Sequence, residues 1–400
     1  MPLPYRAEFA LIAACCVWPP SPKRSRAIQA AARATLDWPL LQKIVECQRV
    51  AALVHEALVD EQVKAPAASL RALSSQAAKI GMQNLSHAAE SIRLQRLLDA
   101  AGIPIMFLKG VSLAVLAYGS LALKHGKDID LLVPESHALR ALDLLEQAGY
   151  RTVLPARDMS EAQKRLVLKH DKEIVLERSD GGTQIELHWH LVSNPSLLRG
   201  VDAASPTQLV ALSDAASIRT LQNDDLFTYL CVHGASHGWW RLKWLADLVA
   251  FMSPLSERDI ERLYALAEQR GAGRCAGQAL LLGQELLQLK LPQALAERLA
   301  ADPYMRMLKN VSLRLLSGPS SELGIWSRPF ATTRLSLSIY LLGCGWRYWS
   351  TELRHQILLL PDALRLGLPD RFSWLYEFYG IVRVPLWLWR KVRYHGRYGP

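Results

Sequence analysis

Hydrophobic positions in the first hundred residues recur every three or four places, the spacing of one buried helical face. Leu40, Leu41, Ile44, Val45, Val50, Val54 and Leu58 mark one such run, with Asp37 placed to cap it and Pro39 in its first turn. Leu70, Leu73, Met82, Leu85, Ile92, Leu94, Leu97 and Leu98 predict a longer helix from about Ala67 to Ala100, stopped by Gly102 and Pro104. An earlier apolar run, Phe9 to Trp18, lacks a basic start and an A-x-A cleavage site, so it reads as a packing helix and not as a signal peptide. Together these runs predict an N-terminal helical layer that supports the chain without carrying its chemistry.

The pattern then changes period. Ile103 to Leu108 reads as a strand, Lys109-Gly110 as a turn, Val111 to Tyr118 as a short helix, and the apolar segment around Asp128-Ile129-Asp130 as a second strand. A helix with Leu139, Leu142 and Leu145 ends at Gly149, and Tyr150 to Leu154 makes a short strand. Residues 155 to 168 are charged and read as a flap or helix beside a cleft. Lys172 to Arg178 and Thr183 to Leu191 flank Ser-Asp-Gly-Gly, a turn that predicts a hairpin because Asp-Gly and Gly-Gly supply positive φ. From about Pro206 onward only helical patterns are visible, with a break at Gly271-Ala272-Gly273. The expected fold is α+β: a small mixed-sheet core with helices on one face, flanked by N-terminal helices and a helical C-terminal domain. The expected division is 1–100, 101–200, 201–370, and a tail over 371–400.

Composition narrows the field only a little. Fifty per cent hydrophobic and 21% charged residues describe an ordered globular protein and exclude a disordered chain. A net charge of +10 favours anionic partners: nucleotides, nucleic acid or a phospholipid surface. Half of it lies in the last thirty residues, where Trp374, Tyr376, Phe378, Tyr379, Trp387 and Trp389 interleave with arginines and a lysine. Such a tail suits an anionic membrane surface, packing on the protein's own body, or stacking with single-stranded nucleic acid. No run reaches the length of a membrane span. The six cysteines form no CxxC pair, which argues against a zinc ribbon or disulfide framework and for free thiols in a reducing cytoplasm.

The chemistry concentrates in two strands. Side chains alternate along a strand, so Asp128 and Asp130 share a face while Ile129 points into a core. Two carboxylates so close repel unless a cation sits between them, and Mg²⁺ is the expected ion, with Mn²⁺ as its substitute. A strand that ends in Lys109-Gly110 and opens a helix through Ser112 offers backbone N–H groups and positive charge to phosphate. Two-metal phosphoryl chemistry calls for a third acid, and Glu186 in Gln184-Ile185-Glu186-Leu187-His188-Trp189-His190 is the candidate. His188 and His190 fall on its face and are candidate substrate contacts. His233 and His237 sit four apart on one helical face, without an HExxH glutamate or a third ligand for zinc. His237 is instead a candidate for closing the cleft, with Trp239 or Trp240 as a stacking surface and Arg241 or Lys243 facing phosphate.

The order LKG, Tyr-Gly, DIDLLV and IELHWHL, with LLDAAGIPIMFLKG upstream and HGASHGWWRLKWLADL downstream, resembles the uncharacterised nucleotidyltransferase family of the polymerase-β-like superfamily, over roughly residues 37 to 250. Gln48-Arg49-Val50 is similar to a feature of that family's first helices. The resemblance implies that Asp128, Asp130 and Glu186 bind the catalytic metals, that Lys109 and Gly110 form the phosphate turn, and that Lys124 stands where members carry arginine before the aspartates. Here Lys109-Gly110 replaces the superfamily's Gly-Ser. Lys124 supplies charge without a bidentate fork.

The activity so implied is metal-dependent transfer of a nucleoside monophosphate from an NTP such as ATP to an acceptor, with release of pyrophosphate. A peptide, a sugar, a lipid precursor or an RNA end are all open as acceptors. Two other readings stand beside it: a catalytically inactive nucleotide-binding or interaction protein, and a nucleic-acid-modifying transferase. A cytoplasmic location is expected, peripheral to the inner membrane face if the tail binds lipid.

Overall fold

The computed structural model describes residues 5–180, 182–317 and 329–357, with isolated positions between 364 and 379. Most of the basic aromatic tail lies outside the described residues. Five helices come first: α1 (Ala7–Cys15), α2 (Pro22–Ala32), α3 (Trp38–Gln48), α4 (Ala51–Asp60) and α5 (Ala67–Ala100). Their starts are written locally. The Ser21 and Asp37 side chains accept the N–H groups of Arg24 and Leu40, and a proline follows each cap in the first turn.

Next come β1 (Met106–Phe107), α6 (Val111–Tyr118), β2 (Asp128–Leu132), α7 (Ala138–Gln147), β3 (Tyr150–Leu154), α8 (Glu161–His170), β4 (Glu173–Arg178), β5 (Gln184–His188), β6 (Thr207–Ser213) and β7 (Ala216–Leu221). They form one seven-stranded mixed sheet in the order β3-β4-β5-β2-β1-β7-β6. β2 runs parallel to β5 and β1 parallel to β7, while the other neighbours are antiparallel. The described helices that follow are α9 (Asn223–Ser236), α10 (Leu242–Met252), α11 (Glu257–Gln269), α12 (Gly273–Leu287), α13 (Gln293–Ala301), α14 (Pro303–Ser317), α15 (Pro329–Ile339) and α16 (Trp346–Ile357).

Alternation along the strands divides the interior. Phe107, Ile129, Leu131, Ile185 and Leu187 pack with Leu94 and Leu98 of α5 and Leu142 and Leu145 of α7. Met106, Leu108 and Leu132 point the other way, into a core shared with α6, the N-terminal helices and α9 to α12. Helices therefore cover both faces of the sheet, where a single covered face was expected. Asp130, Glu186 and His188 lie on the second face, under the C-terminal helices.

Three local expectations need correction. The first strand is two residues long, since β1 pairs only at Met106 and Phe107. The stretch after Pro206 opens with the β6–β7 hairpin, which extends the sheet beyond position 200. This ribbon buries little besides Val210, Ile218, Thr220 and Leu221, so hydrophobicity does not mark its period of two. The helical pattern that carries His233, His237, Trp240 and Lys243 is two helices, α9 and α10. Gly238 and Trp239 both take positive φ, 58° and 52°, and no α-helix continues through that. The turn is fixed by Trp239, whose buried ring fills the space above Gly234: a Cβ there would come within 2.3 Å of the indole.

Candidate active site

The site is built on the parallel pairing of β2 with β5. In that register Asp128 lies opposite Gln184, Asp130 opposite Glu186 and Leu132 opposite His188, while Val175 and Glu173 of β4 flank Glu186 and His188 from the other side. Three adjacent strands thereby bring Asp130, Glu186, His188 and Glu173 onto one patch of one face. Asp130 and His188 are almost fully buried, whereas Asp128 at the start of β2 is partly exposed.

Lys109 ties the patch together. Its Nζ is 2.7 Å from Asp130 Oδ1 and 3.9 Å from Glu186 Oε2. His188 sits on the other side, with Nε2 3.5 Å from Asp130 Oδ1 and 3.6 Å from Glu186 Oε2, and Nδ1 3.0 Å from Glu173 Oε2. Burial opposes charge on every member, and the neighbours decide which ones keep it. Asp130 is held well below the usual carboxylate range by Lys109 and His188, against its burial. Burial and Lys172 oppose a proton on His188, but Glu173 and Asp130 raise it to about 10. Lys109, also opposed by burial, is held well above its ordinary value, chiefly by Asp130. Glu186 is pushed up to about 7 by its burial and by Asp130. The metal-free patch thus contains two cations, two firm carboxylates and one carboxyl that titrates near neutrality.

This donor set fits a divalent cation. Neither Asp130 oxygen has a well-formed hydrogen bond although both are buried. One ligand atom from each of Asp130, Glu186 and His188 lies within 4.8 Å of the others. Among the described residues no other His, Cys, Asp or Glu cluster meets that condition, and Asp128 stands outside it, lining the cleft at the strand's start. Carboxylate oxygens suit Mg²⁺, and the imidazole makes Mn²⁺ a competent substitute.

The turn at Lys109-Gly110 has the expected form. Gly110 takes φ 73° as the residue before α6, a conformation that favours glycine. It lines a small cavity together with Lys124, Asp128 and Asp130. Ser112 is buried and donates its hydroxyl to the Lys109 carbonyl at 3.1 Å, so it braces the turn from behind. Lys124 is buried too, paired with Asp247 at 3.5 Å. His190 follows the end of β5, half exposed and 3.6 Å from Glu135, and does not line the cleft.

A cleft of about 440 Å³ opens beside the carboxylates. His237 lines it, stacked on Trp244 with ring centroids 5.0 Å apart at 27°, and His233 meets the same indole edge-on. Crowding by the cleft walls and the charges of Lys109 and Lys172 lower the proton affinity of His237, so both rings of that stack are neutral at pH 7. Trp240 is buried against Leu315 and Trp239 against Gly234, and neither lines the cleft. The indole at the cleft is Trp244, four residues after Trp240 in the same dense run. Sequence reasoning also passed over Lys172, Glu173 and Tyr229, and it assigned Arg49 only to a supporting helix. All four line the cleft.

No curated protein matches the chain. A family model described as "uncharacterised nucleotidyltransferase" matches residues 34–288, which takes in the last N-terminal helices, the whole sheet with its paired carboxylates, and the helices up to α12. The match covers well over half of the 400 residues, and the chain belongs to that family.

Proposed function

We propose that the protein is a Mg²⁺-dependent nucleotidyltransferase that moves a nucleoside monophosphate from an NTP to an acceptor and releases pyrophosphate. The observation that carries this reading is the β2–β5 register, which sets Asp130 beside Glu186 with the Lys109 ammonium close to both. Asp130, Glu186 and His188 would hold the metal, with Asp128 at the start of β2 as a further ligand; when bound, the ion supplies charge neutralisation for phosphate and lowers the pKa of an oxygen nucleophile. Lys109 and the N–H groups after Gly110 face the side on which phosphate charge builds. Glu186 borders the acceptor side as a metal ligand, and the proton that the acceptor hydroxyl gives up as its oxygen attacks the α-phosphorus passes to solvent. The phosphorus–oxygen bond to pyrophosphate breaks in the same displacement. His237 and Trp244 give the cleft a neutral aromatic wall on which a base can stack.

The test is incubation with each α-labelled NTP and Mg²⁺, with and without lysate of the native host, comparing wild type with Asp128→Asn and Asp130→Asn. Label on a product, with matching pyrophosphate, is expected from wild type alone. Full transfer by Asp130→Asn would refute the site assignment. Nucleotide binding without label or pyrophosphate under any condition would favour an inactive nucleotide-binding protein.

A further inference from the structure

Opposite the carboxylates, the cleft has a wall of positive charge that the metal site does not use. Arg49 closes α3 in a left-handed conformation, φ 56°. Arg241 precedes α10, and Lys243 lies in that helix's first turn. The three belong to segments almost two hundred residues apart, and all line the one cleft. A single buried contact brings the segments together: the Gln48 side-chain oxygen accepts the Leu242 N–H at 2.6 Å, so the residues next to both partners in sequence, Arg49 and Arg241, are fixed on the same side.

This wall is short of counter-charge. Among the described residues neither Arg49 nor Arg241 has a carboxylate within ion-pair distance. Arg241 lies over the Trp240 ring at 4.1 Å, and its Nε is buried without a hydrogen-bond partner. Lys243 is buried and its Nζ donates to the His125 carbonyl, at 3.1 Å. The nearby Lys124 has its own partner in Asp247. That leaves Asp128 as the acid acting on both arginines, while Lys243 shares Asp247 with Lys124. The groups register the imbalance: burial and Arg49 bring Arg241 down to about 10, and burial, Lys243, Arg49 and other cations take His125 down to about 3. Like charges gathered in a partly enclosed cleft cost free energy unless an anion completes them.

We infer that Arg49, Arg241 and Lys243 form a polyphosphate subsite, which takes the β- and γ-phosphates of the nucleotide and, after transfer, the pyrophosphate product. The inference rests on the nucleotidyltransferase reading for its ligand but on separate residues for its evidence. Two guanidiniums present the planar forks that match phosphate oxygens. Asp128 is the site aspartate whose charge acts on Arg49, Arg241 and Lys243 alike. A triphosphate held there has its α-phosphorus over the aspartates and leaves the Glu186 side to the acceptor.

The experiment is calorimetric titration of the full-length protein with inorganic pyrophosphate in EDTA, with the nucleoside monophosphate as a control. Wild type is expected to bind pyrophosphate, with affinity falling as salt rises, and to bind the monophosphate far more weakly. Arg49→Gln and Arg241→Gln should each weaken pyrophosphate on the order of tenfold or more, the size of a charge-assisted hydrogen bond to phosphate. Arg49→Lys and Arg241→Lys should recover only part of it. If a glutamine variant fails to fold, its lysine counterpart reads the lost fork in a protein that keeps the charge. Pyrophosphate affinity unchanged in the Arg49 and Arg241 variants, or no binding by wild type, would overturn the subsite. Asp130→Asn separates the two readings: it should abolish transfer and keep metal-free pyrophosphate binding. Retained transfer in that variant would sink the metal assignment and leave the subsite to be judged by the arginine variants.

Discussion

Lys109→Met tests the electrostatics of the patch with the least steric change, because methionine keeps most of the lysine stem. In metal-free protein the ammonium lies 2.7 Å from an Asp130 oxygen that is buried and has no well-formed hydrogen bond. Removing one partner of a buried ion pair costs about 3–5 kcal/mol, because the other charge is left without compensation. The cost here should sit near the lower end, since His188 remains 3.5 Å from the same Asp130 oxygen as a second cation. A loss of about 3 kcal/mol lowers the melting temperature by roughly 6–12 °C on the scale of 150–250-residue domains, and by less in a chain of this size. The assay is thermal and urea unfolding of both proteins in EDTA, repeated with saturating Mg²⁺. The variant should be destabilised in EDTA and gain more from Mg²⁺ than wild type does, because a bound divalent ion returns the missing positive charge. A variant that unfolds with wild type in EDTA would refute the view that Lys109 balances Asp130.

The same patch predicts a pH profile. Glu186 rises from 4.5 to about 7 on folding, so its contribution to stability is fully present below pH 4.5 and is lost as pH rises through about 7. Stability from urea unfolding in EDTA should therefore fall across this window by about 1.4 kcal/mol per pH unit, and Glu186→Gln should flatten the slope. A profile unchanged by Glu186→Gln would rule that carboxyl out. His188, raised from 6.5 to about 10, adds a second loss of the same sign at higher pH. Away from the carboxylates, Asp247→Asn should cost about 3 kcal/mol, because it strands the buried Lys124. It also weakens the acceptor of the Tyr118 hydroxyl, now 3.0 Å away. An unchanged urea midpoint would show that the buried Lys124–Asp247 pair contributes nothing net.

The acidic half of the site was legible because local patterns placed it. Asp128-Ile129-Asp130 and Ile185-Glu186-Leu187 each write the period of two in apolar residues on one face and acids on the other, and the strands that form obey it. The Lys109-Gly110 turn, α5, α6 and β3 were legible for similar reasons, since glycine, proline and helical spacing mark their ends. His190 was misplaced because β5 stops at His188. The backbone N–H groups of Trp189 and His190 both turn to the Lys172 carbonyl, and the alternation is lost. Trp240 was misplaced because the break at Gly238-Trp239 rotates the start of α10, so the indole four residues on is the one that reaches the cleft.

The basic half was legible only in part, since Arg241 or Lys243 was expected to face phosphate while Arg49 was left to a supporting helix, and the reason is physical. Arg49 is adjacent in sequence to nothing that reacts, and its helix carries an ordinary apolar face. What gives Arg49 a place in the cleft is Gln48, a buried polar residue whose side-chain oxygen accepts a hydrogen bond from a backbone N–H nearly two hundred positions away. No periodicity encodes a contact of that kind. In sequence Arg49 has Glu46 three residues before it and Lys243 has Asp247 four residues after it, so both read as ordinary helix-surface charges, and only Arg241 lacks an acid at helical spacing. An unmatched charge of this sort is neutral evidence on a surface, where water solvates it. It becomes evidence for a ligand only once the fold has set it beside two others of the same sign, and that information belongs to the contact between the end of α3 and the start of α10.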